Sequence, residues 1–225
     1  MSNFDEEQSR YWNSVKNKNR RAPTHHAARL YVLPKLNYLM RQHIFLDKRD
    51  RVLDVGAGSG LFSYYLDNIS NVTAIDSSKI MLGQNPVDKK IIMNAKKLTF
   101  EDNSFDVVFS HAILHHINVK DRLDVINEMK RVSRKYVVFI EPNRNNPLMA
   151  LFGLIKKEER GLLSFSRSYL NGLVSQSGLE IKNSISFGLI TPNRMPIPRL
   201  IHNYIGRLFE RPFPLGISNI VIANK

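Results

Sequence analysis

The stretch Arg51-Val-Leu-Asp-Val-Gly-Ala-Gly-Ser-Gly60 constrains the fold of this chain more than any other segment. A short apolar run, interrupted only by Asp54, reads as a buried strand, and glycines then fall at positions 56, 58 and 60. Glycine lets a backbone turn sharply and approach a ligand closely, because no Cβ stands in the way. In an open α/β sheet the ligand lies beyond the carboxyl ends of the strands, which is where this loop belongs. A helix is expected to start at the loop and to turn its free N–H groups toward an anionic group.

The rhythm around the loop supports such a sheet. Short apolar runs recur at 51–55, 72–75, 90–93, 105–110 and 136–140, with helical patterns between several of them. The clearest helix carries Val119, Leu123, Ile126, Met129 and Val132, with Asn118 as its N-cap and Asp121 in its first turn. Strands that are apolar throughout, alternating with helices, predict a parallel sheet covered on both faces. Residues 24–46 read as a helix that Pro34 kinks or splits. Beyond Glu141, helices are expected over 148–155 and 166–177. Two late strands, 181–190 and 217–223, would finish the sheet as an antiparallel edge around a proline-rich insertion, 191–214.

At 225 residues the chain suits one domain. Its expected parts are an N-terminal helical lid (1–49), a core that would bind a ligand at the glycine loop (50–141) and an acceptor-side half (142–225). That last half holds insertions at 142–164 and 191–215. With no cysteine, disulfides, thiolate metal sites and a cysteine nucleophile are all excluded. The longest apolar run, 148–155, is far short of the roughly 20 residues of a membrane-spanning helix, so a soluble, cytoplasmic protein is expected, in places peripheral to a membrane. The net charge of +13 sits entirely in the flanks. Residues 1–51 hold 11 Lys/Arg against 5 Asp/Glu, and 142–225 hold 11 against 4, whereas 52–141 are balanced at 11 each. Such flanks suit an anionic partner (phosphate, nucleic acid or a lipid headgroup) or simply a solvated basic surface.

A dinucleotide-binding loop of the G-x-G-x-x-G type would need glycine at 61, where this chain has Leu61. The spacing here is G-x-G-x-G, with an acid, Asp54, two residues before the first glycine. This resembles the first motif of class I S-adenosylmethionine-dependent methyltransferases, in their small-molecule, type 11-like branch. Three further segments follow in the order of that family: Ala74-Ile75-Asp76-Ser77, Asn94-Ala95 and Phe105–His116. The resemblance covers residues 50–141 well and the remainder in outline. It implies a Rossmann-like, doubly wound, mostly parallel sheet, S-adenosyl-L-methionine as cofactor and a methyl-transfer activity. The implied cofactor residues are Asp54, Gly56, Ala57, Gly58, Gly60, Asp76, Ser77, Asn94, Ala95, Ser110 and His111. Asp76 would accept the ribose hydroxyls, Ser77 would lie against the adenine, and Ser110–His111 would border the methionine moiety. Asn94 stands where the family most often has an acid near the adenine amino group.

Methyl transfer to a protic acceptor needs a base. His111, His115 and Glu141 are the candidates, with His116 beside them; for His115 and His116 the alternative is to cap or pack the following helix. Glu141 is expected to face the acceptor pocket. Tyr11-Trp12 suit either a lid over the cofactor or simple packing. No metal is expected, since the Asp and Asn cluster of magnesium-dependent O-methyltransferases is not recognisable. For the acceptor, a small molecule of lipid, quinone or glycan type ranks first. The apolar, basic segments 148–157 and 197–213 would lie against an acyl chain or an anionic membrane surface, with Leu151 and Phe152 making apolar contacts. A nucleic-acid acceptor ranks second, supported by the flank charge. A protein that binds cofactor without catalysis ranks last.

Overall fold

The computed structural model describes residues 3–14, 22–44, 47–189 and 211–225. Two helices, α1 (Asn3–Trp12) and α2 (His26–Arg41), precede the sheet. Then follow β1 (Arg51–Val55), α3 (Ser63–Leu66), β2 (Asn71–Asp76), α4 (Lys79–Gly83), β3 (Lys90–Ile92) and β4 (Phe105–His111). The second half holds α5 (Arg122–Val132), β5 (Ser133–Pro142), α6 (Pro147–Ile155), α7 (Arg167–Gln176), β6 (Glu180–Phe187) and β7 (Ser218–Asn224). The seven strands lie in the order β3-β2-β1-β4-β5-β7-β6. Strands β1 to β5 pair in parallel, whereas β7 runs antiparallel to both β5 and β6 and the two late strands close that edge.

The alternation of side chains along each central strand splits the apolar interior into two layers. Leu53, Val55, Val108, Val137, Phe139 and Val221 point into the layer filled by α5 and α7. Val52, Val107, Phe109, Val138, Ile140 and Ile222 point into the layer filled by α2, with Leu66 and Met149. At the outer end β3 departs from the expected covered strand: Ile91 and Ile92 are exposed, because β3 is an edge strand. Pro34 lies inside α2 without dividing it, since the residues that pack this helix inward (Ala28, Tyr31, Val32, Leu36 and Leu39) continue through the proline. Asn118 caps a 3-10 turn, Val119–Asp121, that leads into α5 rather than capping α5 itself. Asn146 and Ser166 cap α6 and α7 through their side chains. The insertion 191–214 falls largely outside the described residues.

Two short 3-10 segments bring the part of the chain after β5 against the core. Leu114–His116 follows β4, and Lys157–Ser164 follows α6. They meet where Gly161 abuts the His115 backbone; a Cβ on Gly161 would lie 1.8 Å from the His115 carbonyl oxygen. Only glycine permits this approach. Gly161→Ala should therefore destabilise the protein by about 1–3 kcal/mol, the scale of an overpacked contact. Gly172→Ala, within α7 and with open space around its Cβ position, should stabilise it by about 0.5–1 kcal/mol. Urea denaturation of the two variants beside the parent checks both signs.

Candidate functional site

A cavity of about 460 Å³ opens at the carboxyl ends of β1, β2 and β4, within the size range of small-molecule sites. At one end its wall is Gly56, Ala57, Gly58, Ser59, Asp76, Ser77, Asn94 and Ala95; at the other it is His111, His115, His116, Met149 and Glu159. Helix α1 runs along it, contributing Asp5, Gln8, Ser9 and Trp12. That helix is tied down at its middle and at its C-terminal end. Ser78 Oγ donates to the Trp12 carbonyl at 3.0 Å, and Gln8 Nε2 donates to the Glu158 carbonyl at 3.0 Å.

The glycine loop closes on Asp76. The Gly58 N–H donates to Asp76 Oδ2 at 2.8 Å, and the Ser78 N–H to Oδ1 at 2.7 Å. Gly58 holds φ +51, the left-handed region, and a Cβ there would meet only Met81 and Asp76 at ordinary contact distance. The glycine is thus required by its backbone angle, and its open face belongs to the cavity. Burial raises the Asp76 carboxyl above its ordinary value against the backbone N–H groups that favour its charge. A carboxylate has about four acceptor positions, so Asp76 keeps unspent capacity at the cavity wall, suited to vicinal hydroxyls. Asn94 Oδ1 already accepts from the Lys96 N–H at 2.9 Å, leaving its amide donors. Apolar Leu61, Ile75, Met81, Met93 and Ile117 also line the cavity. Asp5, Asp76 and Glu159 outnumber Lys96 among the lining carboxylates and ammonium groups, so these groups sum to a negative charge, which suits a sulfonium. These features fit S-adenosylmethionine.

Several expected site residues lie elsewhere. Asp54 and Ser110 are buried beneath the loop, and Gly60 packs against Asn85; none of the three lines the cavity. Asp54 accepts from Ser63 Oγ at 2.6 Å. The expected helix start is a single turn, Ser63–Leu66, so the loop and Asp76, rather than a helix terminus, make this end of the site. Glu141 does not face the acceptor pocket. Its Oε1 accepts the N–H groups of Ile113 and Leu114 at 2.9 and 2.8 Å, and its Oε2 lies 2.7 Å from His115 Nδ1. His115 is buried with it, and its Nε2 lies 3.3 Å from Glu159 Oε2. Burial opposes a charged His115 ring, but the two carboxylates outweigh it and push the group up to about 9. An imidazolium so held is no base at neutral pH.

His111 does line the cavity, with Nε2 3.0 Å from the Tyr31 hydroxyl on α2. Tyr31 was not legible as a site residue; a buried tyrosine needs a partner for its hydroxyl, and that was the available signal. Glu159 had no signal at all, because it reaches the cavity through contacts distant in sequence, such as that of Gly161 with the His115 backbone. Trp12 lines the cavity and stands edge-on to His116, ring centroids 4.9 Å apart, while Tyr11 packs against Trp12 outside it.

Fold and glycine loop define a nucleotide-type site at the head of a doubly wound sheet. Residues 53–140 match the family model described as a methyltransferase domain. These features support a methyltransferase domain of the class I S-adenosylmethionine-dependent type over these residues, with S-adenosylmethionine as the cofactor that such a domain takes. The chain is similar to phosphatidylethanolamine N-methyltransferase of Cereibacter sphaeroides, 36% identical over 95 residues, covering 38% of this chain and 46% of that protein. It is also similar to ribosomal RNA small subunit methyltransferase C of Buchnera aphidicola, 30% identical over 122 residues, covering 48% and 37%. The matched segments span about half, or less, of the curated relatives' length. Among solved structures, a methyltransferase of Leishmania major superposes with TM-score 0.69 at 16% identity, covering 99% of this chain and 83% of that one. A possible histamine N-methyltransferase of Thermotoga maritima gives 0.66 at 18%, covering 88% and 91%. At these identities the likeness is one of fold.

Beneath the loop, burial pushes the Asp54 carboxyl up to about 7, against the Ser63 hydrogen bond and with the Asp76 charge adding to the rise. The folded protein then holds a proton that the unfolded chain, near the ordinary 3.8, releases. A carboxyl raised on folding contributes its full stability below the unfolded value and loses it as pH rises through the folded one. Asp54→Asn should shrink the loss of unfolding free energy between pH 5 and pH 8 by about 1–3 kcal/mol. Paired denaturation curves at the two pH values measure it.

Proposed function

We propose that this protein transfers a methyl group from S-adenosylmethionine to a small, lipid-type acceptor met at an anionic membrane surface. When bound, the cofactor supplies a methyl group on a sulfonium sulfur, already activated toward in-line displacement by an acceptor lone pair. In this proposal Gly56, Ala57, Gly58, Asp76, Ser77, Asn94 and Ala95 hold the cofactor directly, while Asp54, Gly60 and Ser110 shape the loop from beneath. His111, positioned by Tyr31, takes the proton of a protic acceptor. Residues 1–49 act as the lid through α1, on a single domain with its acceptor side in 142–225. Water exclusion is the lid's contribution, since the protein's main task is orientation.

One observation carries the acceptor class. Helix α6 puts Met149 into the cavity wall while Leu148, Leu151, Leu154 and Ile155 stand exposed on its outer side, up to 68% for Ile155. Phe152, expected beside Leu151 at the surface, packs instead against the core. Lys156 and Arg160, both exposed, follow the helix, and Asn146 Nδ2 donates to the Leu215 carbonyl at 2.7 Å, joining exposed Phe213 and Leu215 to its start. Apolar side chains interleaved with basic ones suit an interfacial surface. Among the described residues no helix is long and apolar enough to cross a membrane. A second proposal is RNA methylation, favoured by the basic flanks and by the similarity to a ribosomal RNA methyltransferase.

Calorimetry should show binding of S-adenosylmethionine and S-adenosylhomocysteine but not NAD. Gly58→Val should abolish it, and Asp76→Ala should weaken it by about 1–3 kcal/mol, the scale of a lost charge-assisted hydrogen bond. Unchanged affinity in Asp76→Ala would remove that residue from the site.

Co-sedimentation should show a preference for anionic over neutral vesicles, reduced by the double substitution Leu151→Ser and Leu154→Ser. RNA binding with a steep salt dependence, unaffected by that pair, would favour the second proposal instead.

A further inference from the structure

We propose that His115, His116 and Glu159 form a binding site for one divalent transition-metal ion in the wall of the cavity. Each offers one ligand atom, and the three atoms lie within 4.8 Å of one another. His115 Nε2 and Glu159 Oε2 are 3.3 Å apart, and His116 Nε2 lies 4.0 Å from the same oxygen. A tetrahedral ion with bonds near 2.1 Å holds its donors about 3.4 Å apart, so small side-chain adjustments complete the set. Two imidazoles and a carboxylate suit zinc, cobalt or nickel rather than magnesium or calcium.

Three further observations support a ligand here. Glu141 sits on His115 Nδ1 at 2.7 Å and is itself fixed by two backbone N–H groups. Metal-binding histidines characteristically carry such a carboxylate on the ring nitrogen opposite the metal, which fixes ring and tautomer. The site also opens to the cavity, since all three residues line it; a set of three protein ligands leaves one position of a tetrahedral ion for a small molecule. Finally, the segment that carries Glu159 abuts the His115 backbone closely at Gly161. This site stands apart from the methyl-transfer proposal and is tested without cofactor or acceptor.

Trp12, the chain's single tryptophan, stands 4.9 Å from the His116 ring and serves as the reporter. The whole protein, stripped with chelator, is titrated with Co2+ at neutral pH while tryptophan fluorescence and visible absorption are followed. Both signals should saturate together at one equivalent, with Trp12 strongly quenched. Glu159→Gln, which keeps a hydrogen-bonding group toward His115, and His116→Ala should each weaken binding at least tenfold while far-UV circular dichroism stays unchanged. The double substitution His25→Ala and His26→Ala, which removes the other paired histidines, should leave binding intact. Trp12→Phe should lose the quench and keep the absorption. The proposal is overturned if no one-equivalent binding occurs, if Glu159→Gln and His116→Ala both fold and bind as the parent does, or if the His25/His26 pair accounts for the signal.

Discussion

The far wall of the cavity is organised by one carboxylate, Glu141 at the end of β5. It takes the N–H groups of Ile113 and Leu114 and the ring of His115 at once. Buried backbone donors must find acceptors, and the segment after β4 finds them here rather than in a helix. That fixed segment then carries Ile113 toward Gly56 of the glycine loop and presents His115 to the strap that bears Glu159. A residue that looked like chemistry in the sequence is therefore structural in the first instance. The cavity's far wall is its product.

The distribution of charge follows a second logic. The flanks hold the whole positive excess of the chain, yet Asp5, Asp76 and Glu159 outnumber Lys96 among the carboxylates and ammonium groups that line the cavity. A basic exterior concentrates anionic partners at the surface by long-range attraction, whereas a buried acidic interior selects against them. Acceptors with an anionic portion held outside and a neutral or cationic reacting portion inside fit both regions at once. Phospholipid headgroups bearing an amine have that polarity, and so do nucleotides to a lesser degree, since their reacting bases lie close to the phosphates.

Much of this was legible in the sequence, and for physical reasons. Short apolar runs such as Val72–Ile75 and Phe105–Ser110 announced a doubly covered sheet because burial on both faces leaves no polar alternation to read. The glycine-loop end of the cavity was legible because glycine at 58 and the acid at 76 act through backbone geometry and one carboxylate, both local in the chain. The far end was not. Glu159 and Tyr31 reach the cavity from 44 and 80 residues away from their histidine partners, and no periodicity encodes such an encounter. Glu141 misled because a carboxylate at a strand end has the same letters whether it serves substrate or backbone.

The strand order carries a consequence for assembly. Among the described strands β6 pairs only with β7, and β7 lies between β6 and β5. A chain growing from its N-terminus completes β1 to β5 with one another as they emerge, but β6 must wait with both edges unpaired until residues 218–224 appear. Unpaired edges invite association with other chains, and domains of this size are most exposed during such delays. The part of the molecule after β5 is thus the last to become safe, and its keystone is the final strand of the sheet.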